Sequence, residues 1–562
     1  MSLLGLPTEL LDDIILQVYS NGDLESMALS CKRNYDLSKP HLKQYNILRR
    51  QWNNVRVTKG RSILATLVAI ARDPVVARLI RTLDLTLANE SEGDYECTAI
   101  CTPGHVGYVH NSEARSLVCM SVRSSLPLAL AEQNADAWTR MILPDRTISR
   151  AGPVIIGQNV PGMIRHITRR DVVIHRTIFL LTLLPNLERL RLPKFWDCSE
   201  SGQPAKWEQV LSAISHLASG DQGMLAPNRY LDAPLARLES LSPSQEIDDD
   251  GRCRVGLKGI ASFLLLPGLR HVNIMKFMAC EDEQMYTGIP FQWSSSPGAS
   301  PGSAMSNVRA LHFEGCCIDA VNIGRILERM PAVTSLKYSH HATWNGCGHN
   351  WDAGAFAAAV SHRCGAQLRQ LSLTVHRRMG AVESGIFSLH EFMALEEVQL
   401  DLLMFAAPPP GSGLLSRARG VNPEADDEWN ISDIPPLSQI LPIGIERVSL
   451  IMHAGHGIEH GQSELSIVRK QLRTLKALFA ADLKLSHPYL QQVILRHDGH
   501  AVDLGMHTIV GQSGRRTDVS LESQVARLLR GTGVVGVLID DCHDAFESMP
   551  WENLDEFRNS SR

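Results

Sequence analysis

No run in this sequence approaches the ~18 consecutive apolar residues that a membrane-crossing helix needs, so no membrane span is expected. The start, MSLLGLPTELLDDII, lacks the basic residues that open a secretory signal and carries Glu9, Asp12 and Asp13 instead. Twelve cysteines are scattered without regular spacing, and only Cys316 and Cys317 are adjacent. That suits a reducing setting, cytoplasmic or nuclear, better than a disulfide framework. Neither sign of charge prevails, since 55 Lys and Arg against 60 Asp and Glu leave a formal net charge of −5. No long-range field then draws the chain to nucleic acid or to an anionic membrane.

Chemical signatures are equally sparse. No paired nucleophile and base, and no catalytic carboxylate spacing, stand out, so no catalytic residue is expected. Gly531-Thr532-Gly533-Val534-Val535-Gly536 fits GxGxxG, but a helical run precedes it and a strand-like run follows. A phosphate-binding turn needs the opposite order. The acidic runs Asp248–Asp250 and Glu424 to Glu428 lack the glycine and closing glutamate of a calcium loop. Cys97, Cys101, His105 and His110 have too few residues between the pairs for a zinc finger. His340, His341, Cys347 and His349, then His453, His456 and His460, then His497, His500 and His507, read as polar residues near strand ends. Neither metal nor cofactor is expected.

A short beat fills this space instead. The stretch VRALHFEGCCIDAVNIGRILERMPAVTSLKYS opens with Val308, Leu311 and Phe313, and the same spacing returns about 25 residues later at Val333, Leu336 and Tyr338. Between them Val321, Ile323, Ile326, Leu327 and Met330 fall near helical spacing, and Pro331 ends the run. The beat recurs at Ile80/Leu83/Leu85, Leu187/Leu190/Leu192, Leu269/Val272/Ile274, Leu368/Leu371/Leu373, Leu395/Val398/Leu400, Ile445/Val448/Leu450 and Leu490/Val493/Leu495. Leu235/Leu238/Leu241 is a looser copy and Val534/Val537/Ile539 a last one. A strand and helix this short cannot bury their apolar faces alone and need neighbours of the same kind. A doubly wound sheet is the alternative, but it has no need of one short beat so often.

The pattern resembles the leucine-rich repeat family, whose repeats run to roughly 20–29 residues. The resemblance implies an irregular α/β solenoid over 79–545, with irregular insertions at 89–175 and 406–430 and a tail at 546–562. Within the first insertion Ser112 to Trp138 reads as helical. Gln245 to Gly251 and Ser294 to Ser303 read as surface loops.

Ahead of the repeats, Leu10, Leu11, Ile14, Ile15 and Val18 make one apolar stripe after Pro7. Asn21-Gly22 breaks it, Asp23 is placed to cap a second helix carrying Leu24, Met27, Ala28 and Leu29, and Ser38 before Lys39-Pro40 starts a third. A linker with one helix follows at 51–78. The run Leu6-Pro7-x-Glu9-Leu10-Leu11-x-x-Ile14, then Asp23-Leu24, Leu29, Cys31-Lys32 and Pro40, resembles an F-box across 1–50. That resemblance implies docking on a Skp-type adaptor, and through it a cullin, by Leu6, Pro7, Leu11, Ile14, Leu24 and Leu29. A helical cap sealing the first repeat is the plainer reading.

Residues alternating with the apolar beat point away from the core. They name a target-binding concave face of Arg189, Arg191, His271, Asn273, His312, Glu314, Lys337, Gln370, Glu397, Gln399, Asp401, Arg447, Gln492 and Arg496. Together the resemblances imply the substrate-recognition subunit of a Skp/cullin/F-box ubiquitin ligase, holding an unidentified target protein and no nucleic acid. An interaction scaffold outside any ligase, and more remotely a metal-dependent enzyme, are the other classes considered.

Overall fold

A strand of three residues with one buried side chain has too few hydrogen bonds to stand alone, so the chain lays such strands side by side. The computed structural model describes residues 6–16, 18, 21–58, 61–88, 116–122, 138–139, 142–143, 154–156, 165–167, 169–194, 196, 233–244, 255–281, 288–293, 305–341, 350–377, 382–405, 407–412, 415–416, 428–453, 464–480, 483–498, 508–510, 516–518, 527–528 and 534–540. They fold as mixed α/β with mostly parallel sheet. The chain divides into two compact units. One is Met1–Gln245 with Gly259–Arg270 and Ser294–Ala299; the other is Glu246–Lys258, His271–Trp293 and Ser300–Arg562. The loops expected at 245–251 and 294–303, the 546–562 tail and most of 89–175 lie outside the described residues. Residues 116–122 of that insertion are helical, as expected.

The first unit opens with three helices, α1 (Thr8–Leu16), α2 (Asn21–Ser30) and α3 (Lys32–Trp52). The third differs from the expected start at Ser38. It begins at Lys32 because the Cys31 sulfur accepts the Asn34 N–H (3.4 Å), and it runs through Pro40. Pro40 is exposed, so the ring meets solvent and the one N–H it removes is tolerated. The second helix likewise starts ahead of Asp23, which sits in its first turn. Two more helices, α4 (Ile63–Arg72) and α5 (Val75–Leu79), lie where a linker was expected, and α6 is Arg169–Thr182. Ser62 caps α4, its hydroxyl accepting the Ala65 N–H at 3.0 Å.

Four parallel strands run beside them in the order β1 (Asn54–Arg56), β2 (Thr82–Asp84), β3 (Arg189–Arg191) and β4 (Ser240–Ser242). Val55, Leu83, Leu190 and Leu241 stand in register and are buried. The ladder thus begins at Asn54, earlier than the expected 79. Asn-Val-Arg-Val alternates like a strand, but it lacks the leading apolar residue of the beat and follows directly on a helix.

Along the main sheet of the second unit, eight of the described strands run parallel in chain order: β5 (His271–Met275), β6 (Ala310–Ile318), β7 (Ser335–His341), β8 (Gln370–Arg377), β9 (Glu397–Asp401), β10 (Arg447–His453), β11 (Gln492–Asp498) and β12 (Val535–Asp540). Two apolar rows cross them. Val272, Leu311, Leu336, Leu371, Val398, Val448 and Val493 form one; Ile274, Phe313, Tyr338, Leu373, Leu400, Leu450 and Leu495 form the other. These are the residues of the beat, and all are buried.

Helices α7 (Ala320–Leu327) and α8 (Ala353–Cys364) are capped by Asp319 and Asp352, whose carboxylates accept the Asn322 and Ala355 N–H groups at 2.7 and 2.8 Å. Val321, expected inside α7, is exposed; Asn322 is buried instead, its side-chain oxygen accepting the Phe291 N–H at 2.7 Å. Further along are α9 (Leu437–Ile440), α10 (Glu464–Leu478) and α11 (Leu483–Ser486).

One backbone contact recurs at strand starts. The carbonyl of the residue just before a strand accepts two successive N–H groups from the next repeat. Asn53 O takes Arg81 and Thr82 (3.0 Å each), and Arg81 O takes Glu188 and Arg189 (2.8 and 3.0 Å). Thr334 O takes Arg369 and Gln370 (2.8 and 3.1 Å), and Arg369 O takes Glu396 and Glu397 (2.9 and 3.0 Å).

Leu371→Ala should destabilise the chain by about 2–5 kcal/mol in urea denaturation, because the cavity lies between filled neighbours of its row. Val321→Ala should change stability by less than about 0.5 kcal/mol.

Candidate functional site

Two surfaces were expected to bind partners, and the structure divides the residues named for each. In the helical module Leu11 and Ile15 lie one helical turn apart on α1 and are buried, as are Leu24 and Ala28 on α2. They meet α3, where Asn34 and Ser38 are also buried. Leu11 and Leu24 are therefore the interior of this module, a correction to their expected adaptor-facing role. A three-helix unit this small needs its apolar side chains inside. Ile14 and Pro7 are exposed, Leu6 is half-buried, and Leu29 is 84% exposed. Leu10 and Tyr35 are exposed beside them. Leu10 was legible one turn before Ile14 on the same stripe, but it was not singled out. Arg33 anchors the start of the chain, donating to Leu6 O (3.0 Å) and to the Thr8 hydroxyl (3.1 Å).

The ladder face is more varied than its sequence implies. In the first unit Arg56, Asp84 and Arg191 share one register row, and Arg189 stands one alternation before Arg191. Asp84 Oδ1 accepts the Thr86 N–H (3.1 Å) and hydroxyl (2.7 Å), while Arg56 and Arg191 each approach Oδ2 at 3.7 Å. Arg56 and Asp84 escaped the sequence reading, although Asp84 alternates with Leu83 and Leu85 by the rule that named the others.

In the second unit His271 is exposed, while Asn273, Glu314, Gln370, Glu397, Arg447 and Gln492 are partly accessible. Arg447 ion-pairs with Glu397 across neighbouring strands, and Gln370 donates to Glu397 at 3.5 Å. Four other named positions are closed. Lys337 is only 4% exposed, and Gln399, Asp401 and Arg496 are buried as well, so these four do not present a free face as expected. Their polar atoms are used internally: the Ser372 hydroxyl donates to Gln399 Oε1 (3.0 Å), and Asp401 accepts the Val375 and Leu403 N–H groups (3.2 and 2.8 Å). His312 sits in the same row beside Lys337. Desolvation, and then the Lys337 charge, hold its pKa well below 6.5.

Other chemistry-bearing groups serve packing. The His340 ring stacks on Trp351 (4.4 Å, 7°), and the Tyr338 hydroxyl lies 2.7 Å from His340 Nδ1 while accepting the Ile318 N–H at 3.0 Å. Burial pushes the Cys316 thiol up to about 12, and a hydrogen bond with Cys280, then burial, raises Cys317 well above its ordinary value. Such thiols stay protonated and are poor nucleophiles. Among the described residues no three His, Cys, Asp or Glu side chains gather as metal ligands. Cys97, Cys101, His105, His110, Cys347, His349, His456, His460, His500, His507 and Gly531 lie outside those residues. No described helix is long and apolar enough to cross a membrane.

No model of a known protein family matches the chain, and no curated protein matches it.

The folded chain binds the His312 proton more weakly than the unfolded chain does. The associated stability is therefore complete above about pH 6.5 and is lost as pH falls toward the depressed folded value. Thermal melting should drop between pH 7.5 and 5.5, and His312→Asn should flatten that part of the curve.

Proposed function

We propose that this chain is the substrate-recognition subunit of a Skp/cullin/F-box ubiquitin ligase, with α1–α3 docking a Skp-type adaptor and the strand ladder holding a target protein. The observation that carries the reading is the split of apolar side chains on the first two helices. Leu11, Ile15, Leu24 and Ala28 are buried, yet Leu10, Ile14 and Leu29 remain exposed, where water is a poor neighbour for them. The likeness of Leu6-Pro7-x-Glu9-Leu10-Leu11 to an F-box supports the same assignment. So does a ladder of parallel strands in chain order, the arrangement that a leucine-rich repeat array requires.

The chain itself contributes no bond-making group in this role. It holds the target near a charged ubiquitin carrier, and proximity raises the effective concentration of the target lysine. Ile14→Asp with Leu29→Asp should weaken capture of a purified Skp-type adaptor about 100-fold or more, with the melting temperature unchanged. Leu11→Asp should instead unfold the module, read as loss of helical circular dichroism. Undiminished adaptor capture by the Ile14/Leu29 variant refutes the assignment.

A further inference from the structure

We propose that the solvent side of α3, where Lys32, Lys39, Lys43 and Arg50 line up beside the exposed Ile47, docks an acidic helix of a partner protein. This surface is separate from the adaptor-docking patch, whose Ile14 and Leu29 stand on α1 and α2.

The stripe follows from spacing. The four cations stand seven, four and seven residues apart. On a helix of 3.6 residues per turn they fall within about 40° of one another round the axis and span about 27 Å along it. Asn34 and Ser38, the buried residues of α3, lie on its other side, roughly 100–180° away. All four cations are exposed, and among the described residues none of their side chains forms an ion pair or hydrogen bond. α3 carries six Lys and Arg against the single Asp36, in a chain whose formal net charge is −5, so the positive charge is local to this helix.

Two neighbours of these cations decide what kind of partner fits. Ile47 is 57% exposed one turn after Lys43, and Asp36 is exposed between Lys32 and Lys39. A nucleic-acid backbone is an unbroken row of negative charge, which Asp36 repels and Ile47 does nothing to hold. A membrane surface needs a broad apolar face beside the cations, and one isoleucine does not supply it. A helix lying alongside repeats its side chains at the same seven- and four-residue intervals. Its carboxylates meet the four cations, an apolar residue covers Ile47, and a Lys or Arg answers Asp36. Exposed pairs contribute little each, so the match of spacing, more than the summed charge, selects the partner.

The test uses the full chain and two dye-labelled peptides of about 22 residues, followed by fluorescence anisotropy at low salt. Both carry four Glu and one Leu on an alanine and glutamine background that favours a helix. One places the Glu at seven-, four- and seven-residue intervals with the Leu set to meet Ile47. The other places them at five-residue intervals, which scatters them round the axis. The first peptide should bind at least about fivefold more tightly than the second, and about 0.5 M salt should weaken it about tenfold. Lys39→Glu with Lys43→Glu should weaken it about tenfold or more with helical circular dichroism unchanged. Lys43→Gln, a swap of two good helix formers, should weaken it about threefold, and Asp36→Asn should tighten it. Ile14→Asp with Leu29→Asp should leave it unchanged, so failure of the adaptor assignment and failure of this docking read out separately.

Equal binding of the two peptides, or binding indifferent to Lys39 and Lys43, overturns the proposal. So does tighter binding of phosphatidylserine vesicles or of duplex DNA through the same lysines.

Discussion

The structure depends on neighbouring strands finishing each other's cores. Arg189–Arg191 buries a single leucine, and burying one such side chain yields about 1.5–3 kcal/mol. That cannot offset the order imposed on a three-residue strand and its connections. With Leu83 on one side and Leu241 on the other, the same leucine becomes part of a continuous row, and each strand supplies half of its neighbour's contacts. The second unit does this twice over, with paired rows that cross its strands from Val272 and Ile274 to Val493 and Leu495. Stability of this kind resides in interfaces between repeats, so damage at one row is felt first by the adjacent strands.

This explains which features could be read from the sequence. Rows of Leu, Val and Ile at a fixed offset leave a repeating trace, so nine of the beats fall on ladder strands in the expected register. β1 left no such trace because its strand joins α3 directly, without an apolar approach. The third helix was misplaced because Pro40 reads as a start signal, while the actual cap is a cysteine sulfur, an unusual acceptor for that position. Alternation told which side chains leave the core, but not which of those meet water. Lys337 and Asp401 obey the alternation and are nonetheless buried, Asp401 accepting from Val375 on the neighbouring strand and from Leu403. Leu11 and Ile14 likewise share one stripe, and only packing on α3 separates interior from surface.

The two units also treat polarity differently. In the second unit Ser372 and Gln399 are buried and hydrogen-bonded to each other, which favours a single arrangement over adaptability. In the first unit the corresponding positions Arg56, Asp84, Arg189 and Arg191 remain partly accessible.

The doubly accepting carbonyls at the strand starts bear on how such a chain can change over time. Because Asn53, Arg81, Thr334 and Arg369 each hold two consecutive amides of the following repeat, alignment is settled before the strand proper begins. The length of chain wandering between one anchor and the next is then almost irrelevant to the alignment, and closing a longer excursion adds only about 0.6 kcal/mol per doubling. Segments as unequal as the one from Arg81 to Glu188 in the first unit and the one from Arg369 to Glu396 in the second are anchored in the same way, leaving the outer connections open to insertion and deletion while the strands beneath stay in step.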